Sequence, residues 1–397
     1  MAASASIAVP TPRGALATPV RSERLMSLDF FRGLTIALMI LVNNNGDWKA
    51  AYWPLQHSKW NGWTPTDLVF PFFLFIVGVS MVYSISSRLA RGDSRPTILK
   101  HVFIRGVILF AIGVFVINSF PDRYNIHTMR VEGVLQRIAV CYVIAAIIVL
   151  WGNTRICIAT IISCLAGYWL LMRFVPVPGY GVPTHDIPLL DPDRNLAAWL
   201  DRKLLFGHLY EGTRDPEGVL STIPAIAGTL CGVLTGVWLR TSRALRTKVA
   251  WMLVWGIVGL GAGKFFDFWF PINKKLWTSS FVLFTSGFAL VVLALCLWLL
   301  DIRKLRGKWN VPVLVFGMNA IAAYVFSEVL AEIFGAIHFH TARFGHTSLG
   351  GLIYEGMFHS PTSPPSANAS LAYSLSFVFF CWFFMWLLYR KRIFLKI

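Results

Sequence analysis

Long apolar runs separated by shorter polar segments dominate this chain. Ten of these runs are long enough, at 1.5 Å per residue, to cross about 30 Å of hydrocarbon as helices. They lie at residues 27–43, 67–87, 101–118, 134–151, 156–174, 219–239, 249–265, 278–300, 311–334 and 370–389. The pattern predicts an all-α fold: a polytopic membrane helical bundle of about ten transmembrane helices.

The composition agrees with a membrane location. Apolar residues make up 56% of the 397 positions and charged residues 14%, and the mean hydropathy is +0.61. A soluble domain carries about a quarter charged residues, so this chain lacks the polar surface that a soluble protein needs. The six cysteines all fall inside apolar runs without metal-ligand spacing. We expect them to be packing residues, and we expect no metal site.

The positions of Lys and Arg predict the orientation of the bundle. With the N-terminus taken as cytoplasmic, 21 of the 36 Lys and Arg residues lie on the cytoplasmic side and 12 outside. Both termini are then cytoplasmic. Residues 1–23 lack the apolar core of a signal peptide. We therefore expect them to form a disordered cytoplasmic tail, followed by a transmembrane domain over 24–397. The net charge of +17 reflects this asymmetry, and we expect membrane lipid, not nucleic acid, as the partner.

The first outer loop contains the strongest candidate for chemistry, His57. Its imidazole titrates near neutral pH and suits the removal of a proton from an amine or hydroxyl. Trp60, Asn61 and Asp67 follow it and offer the flat apolar faces and hydrogen-bonding groups that sugar sites use. The alternative is an exposed loop histidine with ordinary interfacial tryptophans. Asn43, which ends the first run, is either a helix cap or a donor to a developing oxyanion.

Ionisable and amide side chains inside the apolar runs are the second group of candidates, because burying them in a membrane is costly. Arg32 has Asp29 one turn away, whereas Arg137 has no carboxylate in its own run and needs an acidic partner or an anionic ligand. Arg105 is either a similar group or one that reaches the headgroups. Asn319 is either a contact between helices or a lining residue.

Two further features leave their roles open. The outer segment PINKKLW contains Asn273, Lys274 and Lys275, which are placed for an anionic or hydroxylated substrate. Glycines repeat every four residues over 228–236, a spacing that favours close helix packing and that is also a candidate surface for a homo-oligomer. No nucleotide-binding loop, dinucleotide fingerprint or zinc-protease motif is present.

Several blocks along the chain together carry a resemblance. They are SLDFFRG (27–33), VN (42–43), HSKWNGWTPTDLVFP (57–71), GVLQR (133–137), DPEGVLSTI (215–223), PINKKLW (271–277), GMNA (317–320) and YRKRIFLKI (389–397). In this order they resemble the heparan-α-glucosaminide N-acetyltransferase family of transmembrane acetyltransferases, including its shorter bacterial relatives.

The resemblance implies an acetyl transfer across the membrane, from cytoplasmic acetyl-CoA as cosubstrate to the amine of a glucosamine-type sugar outside. It implies that His57 is the general base and Asn43 a second catalytic residue, although about three additional residues separate them here. Further roles are expected for two groups of side chains. Acetyl-CoA is expected to contact Arg32, Arg105, Arg137 and Asn319, and the acceptor Trp60, Asn61, Asp67 and Lys275.

The family also has a large luminal domain in its animal members, which this sequence does not contain. With the signal-free tail, this leads us to expect a multi-pass protein of a bacterial inner membrane that acetylates an amino sugar or other glycan in the periplasm. His57 either deprotonates the amine directly or is acetylated first, and we favour direct transfer. Two other functions stay open: sugar O-acetylation, and amino-sugar transport without acetyl transfer.

Overall fold

A computed structural model describes residues 25–120, 124–341, 345–360 and 364–395. Thirteen α-helices and one short hairpin form these parts of the chain, which confirms the predicted all-α polytopic bundle. The tail predicted over 1–23 lies outside the described residues. The helices are α1 (Met26–Asn43), α2 (Val69–Ala90), α3 (Arg95–Ile112), α4 (Val134–Trp151), α5 (Thr154–Phe174), α6 (Leu196–Leu204), α7 (Thr222–Leu239), α8 (Leu245–Phe266), α9 (Ser279–Leu297), α10 (Val311–Met318), α11 (Ala320–Ala336), α12 (Leu349–Ile353) and α13 (Ala367–Arg390).

Nine helices in the described ranges are long and apolar enough to cross a membrane, and α10 with α11 forms a tenth, bent candidate. This pair differs from the single helix expected over 311–334, because its axis bends by 77° between Met318 and Ala320. The side chain of Asn319 at the break is hydrogen-bonded to the backbone of the C-terminal segment, through Ile393 O at 3.1 Å and Leu395 N at 2.8 Å. These bonds hold the broken backbone where a straight helix was expected.

Consecutive spans run in opposite directions, so the connecting segments gather at two ends. The His57 end carries segments 44–64, 119–133, 175–221, 267–278 and 337–366, as far as these are described. The opposite end, which we name the Arg-rich end, carries segments 91–94, 152–153, 240–244, 303–307 and 391–395. Hydrogen bonds between distant parts of the chain support this arrangement: Ser27 N donates to Asp301 at the Arg-rich end, and Asp47 N to Ser370 at the His57 end. The N-terminus of α1 and the C-terminus of α13 therefore lie at the same end, the Arg-rich end.

Glycines allow the central helices to touch backbone to backbone. A Cβ added to Gly78 of α2 would lie 2.0 Å from the carbonyl oxygen of Thr229 in α7, and one on Gly232 would lie 2.0 Å from that of Phe75. Gly236 faces α2 in the same way, at 2.9 Å from Val79 O. Gly232 and Gly236 of α7 thus pack against α2 within the chain, whereas a Cβ on Gly228 would lie 3.7 Å from Val282 of α9.

A small second core covers the bundle at the His57 end. Its buried residues come from the outer part of α5, the loop after it, α6 and the 270–276 segment, and they are Tyr168, Met172, Val177, Ile187, Leu190, Leu196, Ala197, Phe270 and Leu276. The paired strands β1 (His338–Thr341) and β2 (Gly345–Ser348) lie at the same end. Trp60 packs against this second core and donates its indole N–H to Leu190 O at 2.8 Å. The loop that carries His57 is therefore held by folded structure and not only by its own ends.

Candidate active site at the His57 end

His57 and Asp67 form a hydrogen-bonded pair at the start of the second span. The Nδ1 atom of His57 lies 2.7 Å from Oδ1 of Asp67, whose side chain is fully buried. The second oxygen, Oδ2, accepts hydrogen bonds from the backbone N–H groups of Ser58 and Thr64, both at 3.0 Å, and from the Thr64 hydroxyl at 3.1 Å. Thr64 and Asp67 cap the short helical turn Pro65–Leu68 reciprocally. The carboxylate is therefore fixed in place by the local fold.

This geometry sets the tautomer of His57. A carboxylate can only accept hydrogen bonds, so the ring proton belongs on Nδ1, and Nε2 keeps its lone pair. Burial lowers the pKa of His57 below its ordinary value of 6.5, the Asp67 hydrogen bond raises it, and the charge of Lys274 lowers it again. The net direction is downward, and 37% of the side chain stays accessible. At neutral pH the ring is a neutral, reachable base.

Lys274 is the third member of this group, and the predictions from sequence chose its neighbour Lys275 instead. Its Nζ atom lies 3.0 Å from Nδ1 and 3.5 Å from Nε2 of His57, and 3.6 Å from Oδ1 of Asp67. Nothing in the spacing of PINKKLW distinguishes the two lysines. The residue that touches His57 can therefore be chosen only from the folded turn.

The three other predicted acceptor contacts, Trp60, Asn61 and Lys275, lie at the His57 end with different partners. Asn61 is exposed and accepts a hydrogen bond from the Asn273 amide at 3.2 Å, next to Lys274. The guanidinium carbon of Arg214 lies 5.0 Å from the centre of the Trp60 ring. Lys275 points elsewhere, to Glu211 at 2.7 Å. The structure thus brings Trp60, Asn61 and Asp67 to the His57 region and engages Lys275 in an ion pair.

A second ionic cluster at this end was not foreseen. Arg130 donates from Nε and Nη2 to Asp215 at 2.8 and 2.6 Å, and from Nη2 to Glu217 at 2.5 Å. These carboxylates raise the pKa of Arg130, and the charge of Glu217 also raises that of His57. DPEG was recognised as part of a block, but no spacing in the sequence links it to Arg130, 85 residues earlier.

Glu132 lies close to this cluster. Burial raises its pKa to about 7, and the nearby positive charge of Arg137 opposes that shift. Because its carboxyl group titrates near neutrality, Glu132 is a second group at the His57 end, in addition to His57, whose protonation can change.

Asn43 is not hydrogen-bonded to His57 among the described residues. Its amide nitrogen donates to Oε1 of Glu328 in α11 at 3.1 Å. Asn44 and Asn45, which follow it, bond to backbone carbonyl oxygens of Ile40 and Val42. The Asn43 side chain therefore joins α1 to the outer half of the bent span in this conformation.

Arg137 lies at the same end as His57, away from the two other arginines predicted with it. It is fully buried, and its Nη2 group donates to Gly218 O at 3.1 Å and to the Ser221 hydroxyl. Its guanidinium lies 5.0 Å from the ring centre of Trp277, in the turn that carries Lys274. Within the described parts of the chain, Nε and Nη1 have no hydrogen-bond partner. Such donors retain the capacity to bind an oxygen-rich ligand.

A cavity of about 370 Å³, which we name the inner cavity, lies in the half of the bundle nearer the Arg-rich end. Arg32 and Arg105 line it together with Phe73, Ile76 and other apolar side chains of α2. Arg32 donates to Gly317 O at 2.8 Å and pairs with Asp29. Arg105 stacks on Tyr142 at 5.3 Å, and its buried Nε has no partner within the described ranges.

Asn319 supports this cavity from the side, since the neighbouring residues Met318 and Ala320 line it, as does Leu395. Its amide is occupied by the C-terminal backbone, as described above. An apolar cleft with two guanidinium groups fits a ligand that has an uncharged arm and an anionic head, which is the chemistry of a CoA ester.

Comparisons with known proteins identify the family of the chain. A family model for the catalytic region of heparan-alpha-glucosaminide N-acetyltransferase matches residues 24–261. The human protein of that name is 33% identical in an alignment that covers 78% of this chain and 54% of the human protein. The mouse protein is also 33% identical, with 79% and 54% covered. The chain thus spans about half the length of the curated relatives that it matches. The resemblance found in the sequence is confirmed, and the chain belongs to the heparan-alpha-glucosaminide N-acetyltransferase family.

Proposed function

We propose that this protein is a membrane acetyltransferase that transfers the acetyl group of acetyl-CoA to the amine of a glucosamine-type sugar. His57 acts as the general base at one end of the bundle, and the cavity beside Arg32 and Arg105 holds the CoA portion. Membership of the family supports the reaction class. The observation that carries the assignment of the base is the 2.7 Å contact between His57 and the buried Asp67.

The role of the base follows from the lone pair on Nε2. An amine can attack the thioester carbonyl only in its uncharged form, and it must lose a proton as its nitrogen bonds to the acetyl carbon. Nε2 of His57 takes that proton while Asp67 stabilises the resulting imidazolium through Nδ1. The carbon–sulfur bond then breaks, and the same proton passes to the sulfur. The products are the N-acetylated sugar and CoA with a free thiol.

Two residues extend this proposal toward the acyl group. Asn43 is proposed to stabilise the oxyanion after it exchanges its bond to Glu328, which lies 3.1 Å away here. Arg137 is proposed to contact acetyl-CoA through Nε and Nη1, which have no hydrogen-bond partner among the described residues. The next residue of α4, Ile138, lines the inner cavity, so this helix connects the two regions.

The distribution of charge supports the direction of transfer. The Arg-rich end carries most of the Lys and Arg residues and is proposed to face the cytoplasm, where acetyl-CoA is available. Leu395, which belongs to the segment at the Arg-rich end, lines the cavity, so CoA is proposed to enter from that side. The sugar then approaches His57 from the opposite side, where Trp60 and Asn61 are proposed to hold its ring and hydroxyl groups, and Lys275 to contact its outer part.

One observation favours a second function. Spans broken near their middle, such as α10 and α11 with a 77° bend, are common in carriers, where freed backbone groups line a path. A transporter for amino sugars would take up labelled glucosamine without releasing any CoA thiol. We rank this second, because transport gives no role to the His57–Asp67 pair.

The proposal is tested by measuring free CoA thiol. Purified protein in lipid nanodiscs receives acetyl-CoA with and without glucosamine, and His57→Ala is assayed beside it. We expect release that depends on glucosamine in the parent and a loss of about 10²- to 10⁴-fold in the variant. Glucosamine-dependent release that is unaffected by the substitution would contradict His57 as the base. Uptake of glucosamine with no thiol release would favour the carrier.

A further inference from the structure

The position of Lys274 gives the His57–Asp67 pair a third charged partner. Its Nζ atom is within 3.6 Å of three atoms: both ring nitrogens of His57 and Oδ1 of Asp67. Its side chain is 18% exposed, about half the exposure of His57 at 37%. The ammonium group is therefore partly withdrawn from water, where its charge acts on neighbours more strongly than at the surface.

The proton on Nδ1 defines what Lys274 can do. Nδ1 has one position for a proton, and in the arrangement set by Asp67 that proton points to the carboxylate. An ammonium group has only donors, so it cannot then form a hydrogen bond to Nδ1. What it does contribute is a positive charge beside the ring, attracted there by Oδ1 of Asp67 at 3.6 Å. That charge opposes the formation of a second positive charge on His57.

The turn that carries Lys274 is built to hold it in this place. The Asn273 side chain accepts a hydrogen bond from Leu276 N at 2.9 Å and donates to Asn61 in the His57 loop at 3.2 Å. Trp277 N donates to the carbonyl oxygen of Lys274 itself at 3.0 Å. The backbone of Lys274 is thus fixed to the same loop that carries the base.

We propose that Lys274 is a positioning residue that keeps His57 uncharged until the acceptor amine delivers its proton. This inference rests on the proposed function, in which His57 is the base. Lys274 acts through His57 and is not required to touch the sugar. The next residue, Lys275, forms an ion pair with Glu211 and is not proposed to act on His57.

Every charged group that faces His57 enters this balance. Asp67 approaches from the turn at the head of α2, Lys274 from the turn between α8 and α9, and Glu217 from the segment before α7. Asp67 and Glu217 favour the imidazolium, and Lys274 disfavours it. The charge of Glu217 is shared with Arg130 at 2.5 Å, which weakens its effect on the ring. Lys274 is thus the nearest positive charge that opposes Asp67.

The same charge assists the second half of the reaction. Once Nε2 has taken the proton, the imidazolium and the ammonium group repel each other. The repulsion makes the imidazolium a stronger acid, and it passes the proton more readily to the departing sulfur. Burial lowers the pKa of Lys274 and outweighs Asp67 and Glu217, which raise it, so the net direction is downward. The contact of Nζ with Oδ1 of Asp67 at 3.6 Å favours the ammonium form on which this effect depends.

The test reads the protonation of His57 without any turnover. Diethyl pyrocarbonate reacts with uncharged imidazole, so the rate at which the His57 peptide is modified, followed by mass spectrometry from pH 5 to 8, gives the pH midpoint of that residue. We compare the parent with Lys274→Met, Lys274→Gln and Lys274→Arg, and with Lys275→Met as the matched control. A variant is assayed only if it elutes from size-exclusion chromatography at the same volume as the parent. Two neutral variants are used so that the test can still be made if one of them misfolds.

Removal of the positive charge should raise the midpoint by about one pH unit in the neutral variants. The arginine variant and the Lys275 control should keep the midpoint of the parent. An unchanged midpoint in Lys274→Met and Lys274→Gln would overturn the proposal, and so would an equal rise in Lys274→Arg. Because the measurement needs no acceptor, absence of acetyl transfer would overturn the proposed function while this result still decides the effect of Lys274 on His57.

Discussion

The two ends of the bundle differ in how many charged side chains surround their candidate sites. At the His57 end, cations and carboxylates from separate segments contact each other directly: His57 with Asp67, Arg130 with Asp215 and Lys275 with Glu211. In the inner cavity the walls are largely apolar, and the two charged side chains that line it are the guanidinium groups of Arg32 and Arg105. Arg32 pairs with Asp29, so the net positive charge at the cavity wall comes from Arg105.

This difference separates two chemical tasks. Proton transfer needs a titratable group whose charge is controlled from several sides, and the His57 end provides such control. Binding an anionic cosubstrate needs positive charge beside an apolar wall, and Arg105 offers such a charge next to the apolar side chains of the cavity. A single site with both properties would neutralise its own arginines. We infer that the fold keeps reaction and CoA binding at different depths for this reason.

Helix α2 joins the two regions. Asp67 precedes its first turn, and one face of the helix lines the cavity, from Phe73 at one end to Ser84 at the other. At 1.5 Å per residue, the cavity begins about 9 Å and ends about 25 Å from Asp67 along the helix axis. A disturbance of α2 should therefore affect both regions, whereas a local substitution should affect only one.

The largest effect is expected from Asp67→Asn, which breaks the His57 end alone. The Asn oxygen will take the position of Oδ2, where Ser58 and Thr64 donate, and this directs the NH₂ group at Nδ1 of His57. Nδ1 then becomes an acceptor and Nε2 carries the proton, so the base is lost. We expect acetyl transfer to fall by about 10²- to 10⁴-fold, measured as thiol release.

The matched control for that substitution is Asp186→Asn. Asp186 is an exposed aspartate at the same end of the bundle, and its side chain also accepts a backbone hydrogen bond, from Val182 N at 2.7 Å. Its replacement should leave the rate within about twofold, as for other surface changes. A rate in Asp67→Asn within tenfold of the parent would show that the carboxylate does not set the tautomer of His57.

The next effect, on both regions at once, is expected from Gly78→Ala. The new Cβ would lie 2.0 Å from the carbonyl oxygen of Thr229, so α2 and α7 must separate. We expect a loss of about 1–3 kcal/mol in stability and a lower midpoint of thermal unfolding. Gly167→Ala in α5 is the control, because a Cβ there meets nothing within 4 Å. Equal unfolding midpoints for the two variants would contradict the close packing of α2 on α7.

The smallest effect is expected from Arg105→Gln, which alters the cavity alone. Loss of one charge-assisted contact should raise the Kd for acetyl-CoA by about tenfold, and the rate at saturating acetyl-CoA should change little. Arg91→Gln is the control: this arginine lies exposed at the same end and bonds to Ser87 at 3.3 Å. Titration calorimetry measures the Kd for acetyl-CoA in both variants. The same Kd in the two variants would mean that Arg105 does not contact the cosubstrate.

The sequence predicts the helices well and the partners of side chains poorly. The length and hydropathy of a run are local properties, and the runs at 134–151 and 27–43 agree with α4 and α1 to within one residue. The break at Asn319 depends on backbone groups of Ile393 and Leu395, more than 70 residues away. No local pattern in GMNA reveals that contact.

Lys274 and Lys275 show the same limit within the candidate site. They are adjacent and chemically identical, yet one contacts His57 and the other contacts Glu211. The choice is made by the direction of the turn that ends at Trp277, whose backbone is left-handed with φ of 51°. His57 and Asp67 were both recognised as candidates, because their residue types and position already indicate a base and a carboxylate near the membrane surface.

The separation of reaction from CoA binding is tested most directly by the affinity of His57→Ala for acetyl-CoA. The Kd is measured by titration calorimetry on protein in nanodiscs, next to the parent. If the two ends have separate tasks, the variant binds acetyl-CoA within about twofold of the parent, although its thiol release is lost. A Kd raised tenfold or more would contradict this account, because it would make His57 part of the CoA site.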